Sequence, residues 1–141
     1  MSAEQLPALE RIDFGKGGGL VPVIVQDASS HAVLMLGYAN RAAVERTLQT
    51  GHLHLWSRSR QELWYKGERS GNVLQLRRLT VDCDGDTLLA EVQPTTGDTP
   101  ICHTGAETCF FTELETECAT VGESAAPSYR PHADGGNPGT R

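Results

Sequence analysis

Apolar residues recur along this chain in short runs, and nearly all the runs have the length of a strand rather than a helix. Residues 21–26 form a β-branched run with Pro22 near its start, a position that an edge strand tolerates. Asp27-Ala28-Ser29-Ser30-His31 supplies turn chemistry, and 33–38 reads as the returning strand of a hairpin. The period then changes once. Asn40 suits an N-cap, Val44 and Leu48 lie four apart on one face, and Gly51 provides a stop, which predicts a helix over 41–50. A strand is expected over 52–56, and the polar, glycine-punctuated stretch 57–72 reads as a loop or a pair of short strands. Across 73–83 the apolar phase slips. Leu74 and Leu76 share one face and Leu79 and Val81 the other, so a bulge is expected near Arg77-Arg78. Asp84-Gly85 is a strong turn dipeptide, after which 87–93 returns with Leu88, Ala90 and Val92 on one side. The pattern predicts an α+β fold: one β-rich domain of hairpins with a single principal helix. Residues 1–19, ending in Gly15-Lys16-Gly17-Gly18-Gly19, read as a flexible lead-in to a domain over 20–118. Residues 119–141 lose all periodicity and read as a disordered tail.

Composition narrows the function. The chain has 141 residues, with 12 Lys+Arg against 18 Asp+Glu and a formal net charge of -6. No apolar run approaches the roughly 18–20 residues that span a bilayer. The N-terminus lacks the basic start and apolar stretch of a signal peptide, so a cytoplasmic protein without membrane association is expected. An acidic chain is also a poor binder of duplex DNA, which requires phosphate neutralisation. The average conceals a segregation. Arg58, Arg60, Lys66, Arg69, Arg77 and Arg78, opposed only by Glu62 and Glu68, make 57–78 net +4, whereas 79–129 contains no Lys or Arg and is net -10. An anion-binding half beside a cation-binding half suits a phosphorylated substrate handled with metal ions. Ordinary solvated surface is the plain alternative. The Gly-Lys pair at 15–16 lacks the spacing of a phosphate-binding P-loop.

Three constellations carry chemistry. Asp82-Cys83-Asp84-Gly85-Asp86 sets three carboxylates at alternate positions. In extended backbone these share a face and can converge on one hard cation while Cys83 points away, and oxygen-only ligation favours magnesium or calcium. A hairpin turn with solvated acids is the bland reading. Cys83, Cys102 and Cys109 lack the paired spacing of a zinc ribbon. Three thiolates with water in the fourth position make the open geometry of catalytic zinc, whereas adding Cys118 would close a structural site. Buried inert thiols are the alternative. His103, directly after Cys102, suits a ligand, a general acid/base or a packed histidine. The third constellation runs from Trp56-Ser57-Arg58-Ser59-Arg60 through Leu63-Trp64 to Lys66-Gly67-Glu68-Arg69-Ser70-Gly71. It interleaves cations, hydroxyls and glycines suited to phosphate with aromatics suited to a base, tools shared by mononucleotide and RNA sites.

Taken in order, these motifs with Cys102-His103-Thr104-Gly105 and Cys109-Phe110 closely resemble the phosphoribosyl-AMP cyclohydrolase family. That family opens the adenine ring of a phosphoribosylated AMP in histidine biosynthesis. The likeness covers roughly residues 20–111, including Val21-Pro22-x-Ile24-Val25-Gln26-Asp27 and Met35-Leu36-x-Tyr38-x-Asn40. It implies magnesium at Asp82, Asp84 and Asp86, and zinc at Cys83, Cys102 and Cys109. It further implies an intertwined homodimer in which the first thiolate comes from the neighbouring subunit. His103 is then the candidate proton shuttle, and Trp56, Ser57, Arg58, Arg60, Lys66 and Ser70 are the substrate contacts. Cys118 lies beyond the matched region. Gly37, Ala39 and Arg69 depart from the family's more frequent residues, and Arg69 adds a charge beside the expected anion site.

The reaction this implies is zinc-assisted attack of water at C6 of adenine and cleavage of the C6–N1 bond. A nucleobase deaminase shares the attack at C6, but its H-x-E and P-C-x-x-C signature is absent. A structural zinc module binding RNA through the Trp/Arg segment is a third reading, and it requires Cys118 as a fourth ligand.

Overall fold

The computed structural model describes residues 8–95 and 100–117. The described residues up to Phe111 belong to one compact unit, and residues 112–117, in a second unit, carry neither helix nor strand. The elements are β1 (Val21–Asp27), β2 (Val33–Ala39), α1 (Arg41–Thr50), β3 (His54–Ser57), β4 (Glu62–Tyr65), β5 (Leu74–Val81) and β6 (Leu88–Pro94), preceded by a 3-10 turn at Gly15–Gly17. The architecture is α+β and β-rich, as the periodicity predicts.

Three antiparallel hairpins, β1–β2, β3–β4 and β5–β6, build one six-stranded sheet in the order β4-β3-β2-β1-β6-β5. They are joined by an antiparallel β2–β3 contact and a parallel β1–β6 ladder from Val23↔Leu88 to Asp27↔Val92. The sheet curls until its edge strand β5 meets the segment leading into β3. Leu53 N–H donates to Leu74 O at 2.9 Å, Leu76 N–H donates to Gly51 O at 2.8 Å, and His52 bridges Gln75.

The parallel ladder corrects one expectation. β1 lies inside the sheet rather than at its edge, and Pro22 is accommodated because β6 joins only from Val23 onward, so Pro22 faces the single partner Tyr38. Residues 8–19, expected to precede the domain, contribute to it: Leu9 is 1% exposed within the core, and Ile12 and Phe14 pack against it. The tail expected over 119–141 lies outside the described residues, as does Cys118.

Alternation drives the packing. Val21, Val23 and Val25 of β1 and Leu88, Ala90 and Val92 of β6 are buried on one face, joined by Leu55, Leu74 and the apolar face of α1. Each buried Val or Leu is worth about 1.5–3 kcal/mol. α1 is capped as its sequence predicts. Asn40 Oδ1 accepts from Ala43 N–H at 2.9 Å, and Gly51, left-handed at φ 75°, donates to Thr47 O at 2.9 Å. The buried Thr47 hydroxyl donates to Ala43 O at 2.8 Å and accepts from His54 N–H at 2.9 Å, fixing the start of β3 to the helix. Gly37 has a packing reason, since a Cβ there would lie 2.8 Å from Leu55 Cδ1.

Two bulges reset the apolar phase. One falls between Leu76 and Arg78, where the slip predicts it. The other is in β2: Val25 pairs with Met35 and Gln26 with Val33, so Leu34 is the extra residue, and Leu34 and Met35 are both buried.

Candidate functional site

The acidic turn joins β5 to β6. Asp82 Oδ1 accepts from the N–H groups of Asp86 at 3.1 Å and Thr87 at 3.3 Å, and Asp82 N–H donates to Thr87 O at 2.9 Å. Gly85 takes φ 80° and packs against the segment before β1: its carbonyl accepts from Asp13 N–H at 2.7 Å, and a Cβ on it would lie 2.6 Å from Arg11 O. The result brings carboxylate oxygens of Asp82, Asp84 and Asp86 within 4.8 Å of one another, the convergence expected from their spacing. The charges respond. For Asp82, partial burial pushes upward, but the Asp86 N–H and further hydrogen bonds from Asp84 and Thr87 outweigh it and hold the carboxyl below its ordinary value. Asp86 is raised by desolvation, then by its hydrogen bond to Asp84 and repulsion from Asp84 and Asp82.

The thiol loop follows β6. Gly105 N–H donates to Cys102 O at 3.0 Å and Cys102 N–H to Ala106 O at 3.0 Å, closing a tight turn that carries the exposed His103. Cys102 is buried, and its Sγ lies 3.0 Å from Thr104 Oγ1. The loop docks on the β2 bulge: Cys109 N–H donates to Leu34 O at 2.8 Å, and Thr108 Oγ1 donates to Val33 O at 2.7 Å, with Leu34 O at 3.2 Å. Cys102 is shifted down by the Thr104 hydroxyl first, then by Thr104 N–H and Cys109. Cys109 is shifted up by burial, then by its hydrogen bond to Cys102 and the charge of Cys102. The two thiols are thus shifted in opposite directions, with the Lys66 ammonium near enough to favour ionisation of both.

Cys83 does not join this pair within one chain. Among the described residues, the acid triad is the one group of three His, Cys, Asp or Glu ligand atoms close enough to share a metal. Topology gives the reason. Cys83 is exposed beyond the Val81↔Leu88 end of the β5–β6 hairpin, whereas the thiol loop springs from beyond the Leu74↔Pro94 end. Seven residues of β6 separate the two ends, roughly 20 Å of strand.

The basic segment forms the β3–β4 hairpin and the turn after it. Ser57 Oγ accepts from Arg60 N–H at 3.2 Å, and Gln61 N–H donates to Ser57 O at 2.8 Å. The Arg58 guanidinium stacks 3.8 Å above the Tyr38 ring. Arg60 pairs with Glu62 at 3.2 Å and lies 6.0 Å from the Trp64 ring. Trp56 is half-buried opposite Tyr38 and Leu63. Ser70 Oγ accepts from Asn72 N–H at 3.3 Å in a turn that only glycine can open, because a Cβ at Gly67 would lie 2.2 Å from Asn72 O. Arg69 is exposed on that turn. Lys66 thus keeps company with the thiols, while Arg58 and Arg60 are engaged by aromatic and acidic neighbours. Thr104 entered the sequence reading only as part of the Cys102-His103-Thr104-Gly105 motif, with no role of its own, and Thr108 had no place in it. Their only signal is a hydroxyl two residues after one cysteine and directly before the next.

Thiol pair, acid triad and cationic hairpin on a small α+β domain are the equipment of a compact enzyme, and comparison with known proteins identifies which. The family model for phosphoribosyl-AMP cyclohydrolase matches residues 35–111. The phosphoribosyl-AMP cyclohydrolase of Cenarchaeum symbiosum is 51% identical over 106 residues, covering 75% of this chain and 95% of the relative. That of Clostridium botulinum strain 657 is 50% identical over 106 residues, covering 75% and 94%. The histidine biosynthesis bifunctional protein HisIE of Vibrio cholerae is 50% identical over 112 residues, covering 79% of this chain and 52% of the longer relative. The chain belongs to the phosphoribosyl-AMP cyclohydrolase family, and its relatives are hydrolases of histidine biosynthesis.

Proposed function

We propose that this chain, as a homodimer, hydrolyses the N1–C6 bond of the adenine ring in 1-(5-phosphoribosyl)-AMP. The product is the open phosphoribosyl-formimino carboxamide nucleotide, at the third step of histidine biosynthesis. The observation that carries the reading is the separation of parts. Cys102 and Cys109 sit on a loop docked at the start of β2, near enough to Lys66 to feel its charge, and Cys83 with the acid triad lies beyond the opposite end of the β5–β6 hairpin. A second copy presenting its acidic turn to the thiol loop completes the set without unfolding either chain.

The donors fit the metals that the family resemblance implies. Cys102 and Cys109 are adjacent soft donors, and the partner subunit's Cys83 makes a third, the open set suited to catalytic zinc. Three converging carboxylates suit magnesium. When bound, zinc supplies ionised water near neutral pH, and magnesium offsets phosphate charge. The protein's own residues do the rest. Hydrolysis places a hydroxyl on C6 and sends the electron pair of the C6–N1 bond to N1, which takes a proton. His103, exposed and one residue from Cys102, moves that proton. Arg58 and Arg60, with Lys66, hold the anionic groups, Trp56 lies against the base, and Ser57 and Ser70 offer hydroxyls.

The test is mixing. Cys83→Ser and Cys102→Ser homodimers should each bind little zinc and lose ring-opening activity on phosphoribosyl-AMP. Refolded together, they should regain about a quarter of wild-type activity, because half the dimers are mixed and each mixed dimer has one intact site. Full activity in either variant alone, or no recovery on mixing, would overturn the shared site.

A further inference from the structure

The Gly15-Lys16-Gly17 turn, whose glycine-lysine pair fits no phosphate loop, has its lysine on the acid triad. Lys16 Nζ donates to Asp84 O at 3.1 Å and lies 3.9 Å from Asp84 Oδ2 and 3.8 Å from Asp86 Oδ2. The backbone aims it there. Lys16 N–H donates to Asp13 Oδ1 at 3.2 Å, and Asp13 N–H donates to Gly85 O at 2.7 Å, so the lysine turn and the acidic turn are tied together through Asp13. The side chain itself is 48% exposed and free to swing into solvent without disturbing the core.

We propose that Lys16 is a tethered counter-cation for this site: it neutralises Asp84 and Asp86 when no divalent ion is bound, and a divalent ion displaces it. The inference rests on reading the acid triad as a cation site. A divalent ion shared by Asp84 and Asp86 would stand within a few ångströms of the ammonium, and like charges at that range repel even in a high dielectric. The lysine therefore competes with the metal and sets its affinity, while sparing the metal-free protein the full repulsion of three carboxylates.

Magnesium titration by calorimetry, on the full-length protein stripped with chelator, tests this. Lys16→Gln should bind Mg2+ about three- to tenfold more tightly than wild type, a modest factor because the pair is exposed. Lys16→Arg, which keeps the charge, should bind like wild type. In chelator, Lys16→Gln should melt below wild type, and saturating Mg2+ should remove the difference. Equal or weaker Mg2+ binding by Lys16→Gln, with wild type binding normally, would overturn the counter-cation and leave the cation site standing. Absence of binding in wild type and variant alike would overturn both.

Discussion

The two ends of the β5–β6 hairpin are built on different principles. At one end, Asp82, Asp84 and Asp86 are brought together by a turn of a few residues that bonds to itself, Asp82 Oδ1 taking the N–H groups of Asp86 and Thr87. At the other, Cys102 and Cys109 depend on distant chain, since Thr108 and Cys109 bond to Val33 and Leu34, some 75 residues earlier. The acidic end gathers three donors within one chain, and the thiol end gathers two. The locally encoded cluster forms within a few residues of one chain, whereas the thiol pair is held in place by long-range docking.

The largest expected effect comes from undocking the thiol end. Thr108→Val removes the hydroxyl that donates to Val33 O and accepts from Phe110 N–H at 3.1 Å. Zinc affinity should fall about ten- to a hundredfold, in the range of lost outer contacts to metal ligands, while Mg2+ affinity stays at the wild-type value. Competition with a chromophoric zinc chelator measures the first and calorimetry the second, and equal losses of both would erase the distinction between the ends.

Gly85→Ala attacks the other end. The new Cβ meets Arg11 O in a left-handed backbone, so urea unfolding should show a loss of about 2 kcal/mol. Mg2+ binding should weaken, and because Cys83 rides on the same turn, zinc content should fall with it. The smallest effect is expected at Asp27, which accepts from Ser29 N–H at 2.8 Å and Ser30 N–H at 2.9 Å in the β1–β2 turn on the thiol side. Chiefly the Ser30 N–H, against some desolvation and with help from Ser29, holds its carboxyl below the ordinary aspartate range. Its stabilisation is present above the unfolded value and is lost as pH falls through the lowered folded one. Asp27→Ala should therefore cost about 1 kcal/mol at neutral pH, discounted for exposure, and flatten the acid limb of a stability-against-pH curve.

Most of the local structure was legible. Asn40 and Gly51 bound the helix, Asp84-Gly85 marked the turn that gathers the acids, and the phase slip across Leu76 and Leu79 located the β5 bulge, because caps, turns and periodicity act over a few residues. The motifs at 56–71, 82–86 and 102–109 were enough to reach the family. What escaped was non-local. Nothing near Pro22 announces that β1 takes β6 as a parallel neighbour, and nothing near Leu34 announces that its bulged carbonyl will receive Cys109. Leu9 looked like part of a lead-in because its short apolar stretch runs into the glycine-rich Gly15–Gly19, and its burial depends on the distant strands it packs against.

By itself, then, the sequence determined the hairpins, the helix, the convergence of Asp82, Asp84 and Asp86, and the family. Each depends on neighbours along the chain or on residue identities in order. Only the tertiary structure decided that Lys66 stands by the thiols, that Lys16 sits on the acids, and that Cys83 lies apart from Cys102 and Cys109. Those relations follow from how a curled sheet brings distant segments together and keeps the two ends of one strand apart, and no local propensity carries that information.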